Sequence, residues 1–186
     1  FYFRDLLAGA LQFGRFLDRF RAQRLQRSSM EHFVRSGLAI LVLLLLQTTF
    51  VPFLSISGFL PDVLLIWVVY IAVTRGQLEA TITGFVVGLV ADVVAIQFFG
   101  LSVFTKTVAG FVAGYFFNEN LTEHTLGSYR FLLITLLSSF VHNLLYYGIF
   151  LQGIQDALLT TMIEFSIAVS LYTALMGVFP MFTFVR

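Results

Sequence analysis

The sequence predicts an all-α integral membrane protein: a six-helix transmembrane bundle preceded by a basic amphipathic N-terminal helix. Two observations on composition point to this fold class. The 186 residues are 59% hydrophobic and only 11% charged, whereas soluble domains carry about 25% charged residues. Mean hydropathy is +0.92, and apolar stretches recur through residues 36–186 at lengths suited to a bilayer. Lipid is the solvent in which so much apolar surface is stable.

Residues 1–35 form a basic arm, with seven arginines against three acidic residues. Apolar side chains recur in the arm at helical spacing between the arginines, which favours an interfacial helix on an anionic cytoplasmic leaflet. Two other interpretations remain: an extended reading frame for residues 1–29, before Met30, or a nucleic-acid-binding arm, which so much membrane sequence disfavours. A cleaved signal peptide is not expected, because charges interrupt the apolar run.

The second predicted domain, residues 36–186, contains six apolar stretches. They cover residues 38–54, 63–73, 82–99, 101–117, 131–151 and 157–179. With the N-terminus inside, the basic residues Arg75, Arg130 and Arg186 all fall on the cytoplasmic side, as the positive-inside rule requires. We therefore expect a multi-pass protein of the bacterial inner membrane with both termini cytoplasmic. Five spans would need one stretch to be re-entrant.

Ionisable residues inside spans need a physical account, since each costs roughly 2.5–3.5 kcal/mol at a helix centre on insertion scales. Asp92 lies eight residues before Gly100, and Lys106 lies six residues after it. If the two helices are antiparallel about Gly100, the two charges lie at similar depth. We therefore expect a buried ion pair between Asp92 and Lys106, in which each charge reduces the desolvation cost of the other.

Further polar residues are predicted at the same level, in the outer half of the bilayer. The whole set is Gln47, Asp62, Asp92, Lys106, His142, Asn143 and Glu164. One interpretation is a polar pocket open to the outer side, and another is a buried surface for a membrane partner. The third is a set of interhelical hydrogen bonds, worth about 0.6 kcal/mol each. No catalytic, cofactor or metal site is predicted.

Small residues mark a close helix contact. Gly84 and Gly88 are four residues apart in the third stretch, and Gly110 and Gly114 repeat that spacing in the fourth. Such small-xxx-small faces let helix backbones approach closely. We expect them to pack the third helix on the fourth, and a homodimer through the same face is the alternative.

Sequence motifs of enzymes are absent. The chain has no GxxxxGK[ST], no HExxH and no Gly-x-Ser-x-Gly, and it contains no cysteine. Its three histidines are not spaced as metal ligands. We therefore expect a protein that is not an enzyme. A lipid-handling enzyme would have to assemble its site from Asp92, His142 and Glu164 without a recognisable motif.

Residues 61–115 resemble the rod shape-determining protein MreD family. The resemblance rests on Pro61-Asp62, on the run from Gly84 to Asp92, on Gly100-Leu101 and on Thr105-Lys106-Thr107, followed by Gly110 and Gly114-Tyr115. It extends in length and hydropathy over residues 37–180, but the arm 1–29 departs from the family pattern.

The resemblance implies a non-enzymatic inner-membrane scaffold of the cell-elongation machinery, without a cofactor. Its implied partners are the bitopic protein MreC, the RodA–PBP2 peptidoglycan synthase and the actin-like MreB, and no nucleic acid. It also implies a fold similar to the S components of energy-coupling-factor vitamin transporters. An S component that binds a small molecule is therefore the alternative function, with the polar residues lining its pocket.

Overall fold

A computed structural model describes residues 36–55, 58–95, 99–150 and 158–179. The chain divides into two units, Phe1–Leu41 and Val42–Arg186, and all contacts described below lie within the second. The predicted basic arm, residues 1–35, lies outside the described residues.

Helices make up the described part of the chain, in which no strand occurs. They are α1 Ser36–Thr49, α2 Val63–Arg75, α3 Gln77–Ala95, α4 Leu101–Gly114, the short α5 Thr122–Leu126, α6 Tyr129–Phe150 and α7 Leu158–Met176. Single 3₁₀ turns cover Val51–Leu54 and Glu119–Leu121. The all-α prediction is confirmed. By length and composition α3 and α6 can cross a bilayer, and the six-span bundle stays a prediction.

The turn between α2 and α3 is tighter than the sequence suggested. The predicted apolar stretches 63–73 and 82–99 leave eight residues between them, but Gly76 alone separates the two helices. Gly76 adopts φ +93°, a conformation that glycine reaches without the steric cost of a Cβ. Its N–H donates to the carbonyl of Ala72 at 3.1 Å, so the last turn of α2 is closed before the chain reverses.

Helices α3 and α4 form the most extensive contact of the fold. A Cβ at Gly88 would lie 2.5 Å from the carbonyl oxygen of Ser102, and one at Gly110 would lie 2.5 Å from that of Ala80. Similarly, Gly84 faces the backbone of Lys106 and Gly114 faces Gln77. The four glycines thus lie along an antiparallel contact where the backbones touch.

Helices α6 and α7 form a second pair, and α4 packs on α6 to join the two pairs. An apolar core fills one end of the assembly. Its buried members are Ile66, Val69, Ala72, Val73, Ala80, Ala113, Leu126, Phe131 and Ile134. Large apolar side chains also cover the outside, where Phe53 is 86% exposed and Leu78 75% exposed. A surface of this kind is stable against lipid rather than water.

Candidate functional site

The site is centred on Asp62, which caps the N-terminus of α2. Its Oδ1 accepts a hydrogen bond from the backbone N–H of Leu65 at 2.9 Å. The first N–H groups of a helix have no partner inside the helix, and the N-terminus carries a partial positive charge. A carboxylate at this position satisfies both needs.

Two neutral side chains complete the cap. Gln47 of α1 accepts from the N–H of Val63 at 2.8 Å and donates to the carbonyl of Pro61 at 3.1 Å. Thr173 of α7 accepts from the N–H of Asp62 at 3.1 Å. Side chains of two other helices therefore satisfy the backbone groups at the start of α2.

The second carboxylate oxygen of Asp62 contacts side chains of α4 and α6. Lys106 Nζ forms an ion pair with Oδ2, and the Lys106 and Asp62 side chains are only 5% and 15% exposed. His142 Nε2 lies 3.5 Å from the same oxygen. A buried carboxylate is tolerated only when its charge is balanced. Asp62 thus links α2 to α4 and brings α6 against both.

Asp92 caps another helix, and the structure corrects its expected pairing with Lys106. The Asp92 carboxylate accepts three backbone hydrogen bonds, from Gly100 at 2.8 Å, Ser102 at 3.1 Å and Val103 at 3.2 Å. These N–H groups belong to the start of α4. Asp92 is therefore the acidic cap of α4, while Lys106 is paired with Asp62.

The register of α3 against α4 explains the error. Gly84, not Asp92, faces Lys106 across the contact. Asp92 lies eight residues further along α3, which is about 12 Å at the rise of an α-helix. The prediction assumed that the two helices are symmetric about Gly100, but α3 ends at Ala95 and α4 begins at Leu101.

Asp62, Lys106 and His142 form a polar cluster. Asn143 connects α6 to α7 beside it. Its amide donates to the Ser139 and Ser170 hydroxyls, each at 3.2 Å, and the Ser170 hydroxyl donates in turn to the carbonyl of Ser166. Within the described ranges, His142 Nδ1 and the hydroxyls of Ser138 and Ser166 are buried without a hydrogen-bond partner.

A cavity of about 250 Å³ adjoins these groups. Five of the seven predicted residues line it: Gln47, Asp62, Lys106, His142 and Asn143. Asp92 is buried but does not line the cavity, although its neighbour Ala91 does. Its carboxylate instead bonds to the start of α4. Glu164 is exposed on α7 and does not line the cavity. What the cavity does stays a prediction.

Sequence reasoning missed the hydroxyl-bearing partners. Thr173 and Ser170 bond to cluster residues, and Ser139 supports Asn143. The signal was a polar stripe on two helices: Thr135, Ser139 and Asn143 are spaced by four on α6, and Ser166, Ser170 and Thr173 follow a similar period on α7. Such a stripe in an otherwise apolar helix indicates interhelical hydrogen bonding.

Comparison with known proteins gives one family. A family model described as rod shape-determining protein MreD matches residues 29–186. No curated protein and no solved structure matches the chain.

Proposed function

Because the chain belongs to the MreD family of rod shape-determining proteins, we propose that it acts as a multi-pass membrane scaffold of the bacterial cell-elongation machinery. The family is one of membrane proteins that determine cell shape rather than a known enzyme family. The proposal goes further in three respects: six spans with both termini cytoplasmic, binding of an MreC-like bitopic protein, and support of peptidoglycan synthesis by a RodA–PBP2 pair together with MreB.

The observation that carries the proposal is that the buried charges are satisfied by the protein itself. Both oxygens of Asp62 are engaged, one by the N–H of Leu65 and the other by Lys106. Asp92 is likewise engaged by three backbone N–H groups. Charges used in this way hold helices in place, which favours action through the outer apolar surface over chemistry inside the bundle.

The position of the α2 N-terminus supports this interpretation. Asp62 lies level with His142, eight residues before the end of α6, or about 12 Å along that helix. Backbone groups at such a depth in a bilayer must find partners within the protein. The caps from Gln47, Thr173 and Asp62 itself meet that requirement.

Affinity purification from the native membrane in mild detergent, with mass spectrometry of everything that co-purifies, tests the scaffold function. Recovery of an MreC-like bitopic protein is the expected result. The control is Glu164→Gln, an exposed position outside the cluster, which should recover the same partner. Failure to recover any bitopic partner from membranes that contain one would contradict the proposal.

Topology is testable because the chain has no native cysteine. We expect Ser55→Cys to react with a membrane-impermeant maleimide in intact cells. Asn120→Cys should react only after permeabilisation, since the α4–α5 connection is placed in the cytoplasm by the positive-inside rule. The reverse pattern would overturn the proposed orientation.

The cavity of about 250 Å³ favours one second candidate, an S component that binds a small molecule. Its polar lining includes His142, whose Nδ1 has no partner within the described ranges. This candidate predicts that paired ATPases co-purify with a vitamin-sized molecule, and that His142→Phe releases the molecule while the fold is retained. The same purification experiment therefore separates the two functions.

A further inference from the structure

A long, mainly apolar groove lies along the flank of α6, and Ser170 of α7 is a polar residue in its lining. It consists of two adjoining open cavities of about 380 Å³ and 430 Å³. The two cavities share Leu133 and Leu137, so they form one continuous surface. Beyond Leu137 the groove continues past Phe140 to Ile167 and Leu171 of α7.

One end of this groove carries a cation. Arg130, in the first turn of α6, lines the first cavity and is the charged residue among the described residues that line the two cavities. Its side chain is exposed, and it has no ion pair with any residue of the described ranges. The Asn118 amide lies at the same end. The groove thus combines a polar, positively charged end with an apolar body.

The length of the groove fits one leaflet of a bilayer. Arg130 and Phe140 are ten residues apart on α6, or about 15 Å. The hydrocarbon core of a bilayer is about 30 Å thick, so one leaflet contributes about half of that. Tyr129 beside Arg130 is 67% exposed, as is typical of aromatic residues at the headgroup level.

We propose that this groove is a binding site for an anionic phospholipid, with the phosphate at Arg130 and an acyl chain along Leu133, Leu137 and Phe140. Arginine suits phosphate because its planar guanidinium donates two parallel hydrogen bonds. The apolar body offers a free phosphate ion nothing to bind, so the groove as a whole favours a phosphate that carries acyl chains. Basic pockets between membrane helices on the cytoplasmic side bind anionic headgroups in this way.

Native mass spectrometry of the full-length protein tests the site. The protein is released from nanodiscs made of equal parts phosphatidylglycerol and phosphatidylcholine with identical acyl chains. We expect phosphatidylglycerol adducts on the unmodified protein in excess over phosphatidylcholine. Arg130→Gln should lower that excess about fivefold, the effect of one basic residue near an anionic surface. Leu137→Trp, which fills the groove, should reduce adducts of both lipids.

The matched control is Arg75→Gln. Arg75 is also at a helix end, but it pairs with Glu79 at 3.4 Å and lines neither cavity. It should leave the phosphatidylglycerol excess unchanged. An equal loss in Arg75→Gln and Arg130→Gln would mean general charge attraction and would overturn the site. So would displacement of the adducts by glycerol phosphate, which has no acyl chain, or an unchanged excess in Arg130→Gln with correct folding shown by circular dichroism.

Discussion

Asp62, which is partly buried, and Asp92, which is buried, are two carboxylates that perform the same local task in different surroundings. Each caps the N-terminus of a helix, Asp62 that of α2 and Asp92 that of α4. Asp62 uses one oxygen for the cap and the other for Lys106. Asp92 gives both oxygens to backbone N–H groups of α4.

This difference indicates a local structural role for Asp92 and a long-range structural role for Asp62. Asp92 lies in the last turn of α3, and its partners are at most eleven residues away in sequence. Asp62 joins elements far apart in sequence, since Lys106 is 44 residues away and Thr173 is 111 residues away. We therefore expect loss of the Asp62 partners to loosen the whole bundle, and loss of Asp92 to affect one hairpin.

The largest effect is expected for Lys106→Met. This change leaves the partly buried Asp62 carboxylate without its cation, and the loss of one partner of a buried pair costs up to about 3–5 kcal/mol. Thermal unfolding in detergent, followed by circular dichroism, should show a large fall in the midpoint. The matched control is Lys106→Arg, which keeps the charge and should lose less. A midpoint within error of the unmodified protein in Lys106→Met would contradict a stabilising ion pair between Lys106 and Asp62.

Asp92→Ala should have a smaller effect. It removes the acceptor of three hydrogen bonds and the charge at the N-terminus of α4, for a loss of about 2 kcal/mol. Asp92→Asn keeps an acceptor oxygen and should cost less. Hydrogen exchange should show that the loss of protection is confined to the start of α4. Protection lost throughout α2 and α6 would contradict a local role.

Gly100→Ala tests the contribution of the Gly100 conformation to the Asp92 cap. Gly100 donates to Asp92 from a left-handed conformation with φ +98°, which costs an L-residue with a Cβ roughly 1–2 kcal/mol. The substitution has open space around it, so the cost comes from backbone conformation alone. Gly100→Asn, which tolerates this conformation better, should recover part of the midpoint. Equal midpoints for the two variants would argue against this explanation.

The smallest effect is expected for Glu164→Gln. Glu164 is exposed and lies outside the cavity lining, and surface substitutions usually change stability by no more than about 0.5 kcal/mol. The unfolding midpoint should stay within error of the unmodified protein. A loss as large as that of Asp92→Ala would place Glu164 in the polar cluster after all.

The sequence was sufficient for the all-α class and for the residues that meet at the α3–α4 contact. Both follow from local patterns: long apolar stretches for the helices, and the four-residue spacing of Gly84 and Gly88 for the close approach. Composition and spacing report such features directly. A helix depends on the pattern of one segment, and a close helix contact depends on small side chains at regular spacing.

The partner of each charge could not be predicted in the same way. Lys106 reaches either Asp62 or Asp92 depending on the helix register, and a shift of eight residues moves the contact by about 12 Å. The register depends on where α3 ends at Ala95, which no motif marks. Thr173 is still less accessible to sequence reasoning, because its bond to Asp62 spans 111 residues.

Two double-mutant cycles on thermal unfolding test whether Lys106 pairs with Asp62 or with Asp92. One cycle combines Asp62→Asn with Lys106→Met, and the other combines Asp92→Asn with Lys106→Met. We predict that the first double variant is more stable than the sum of its single effects requires, because each single change leaves an uncompensated charge. The second cycle should be additive to within about 0.5 kcal/mol, as for residues without shared partners. Additivity in the first cycle together with coupling in the second would contradict the account and restore Asp92 as the partner of Lys106.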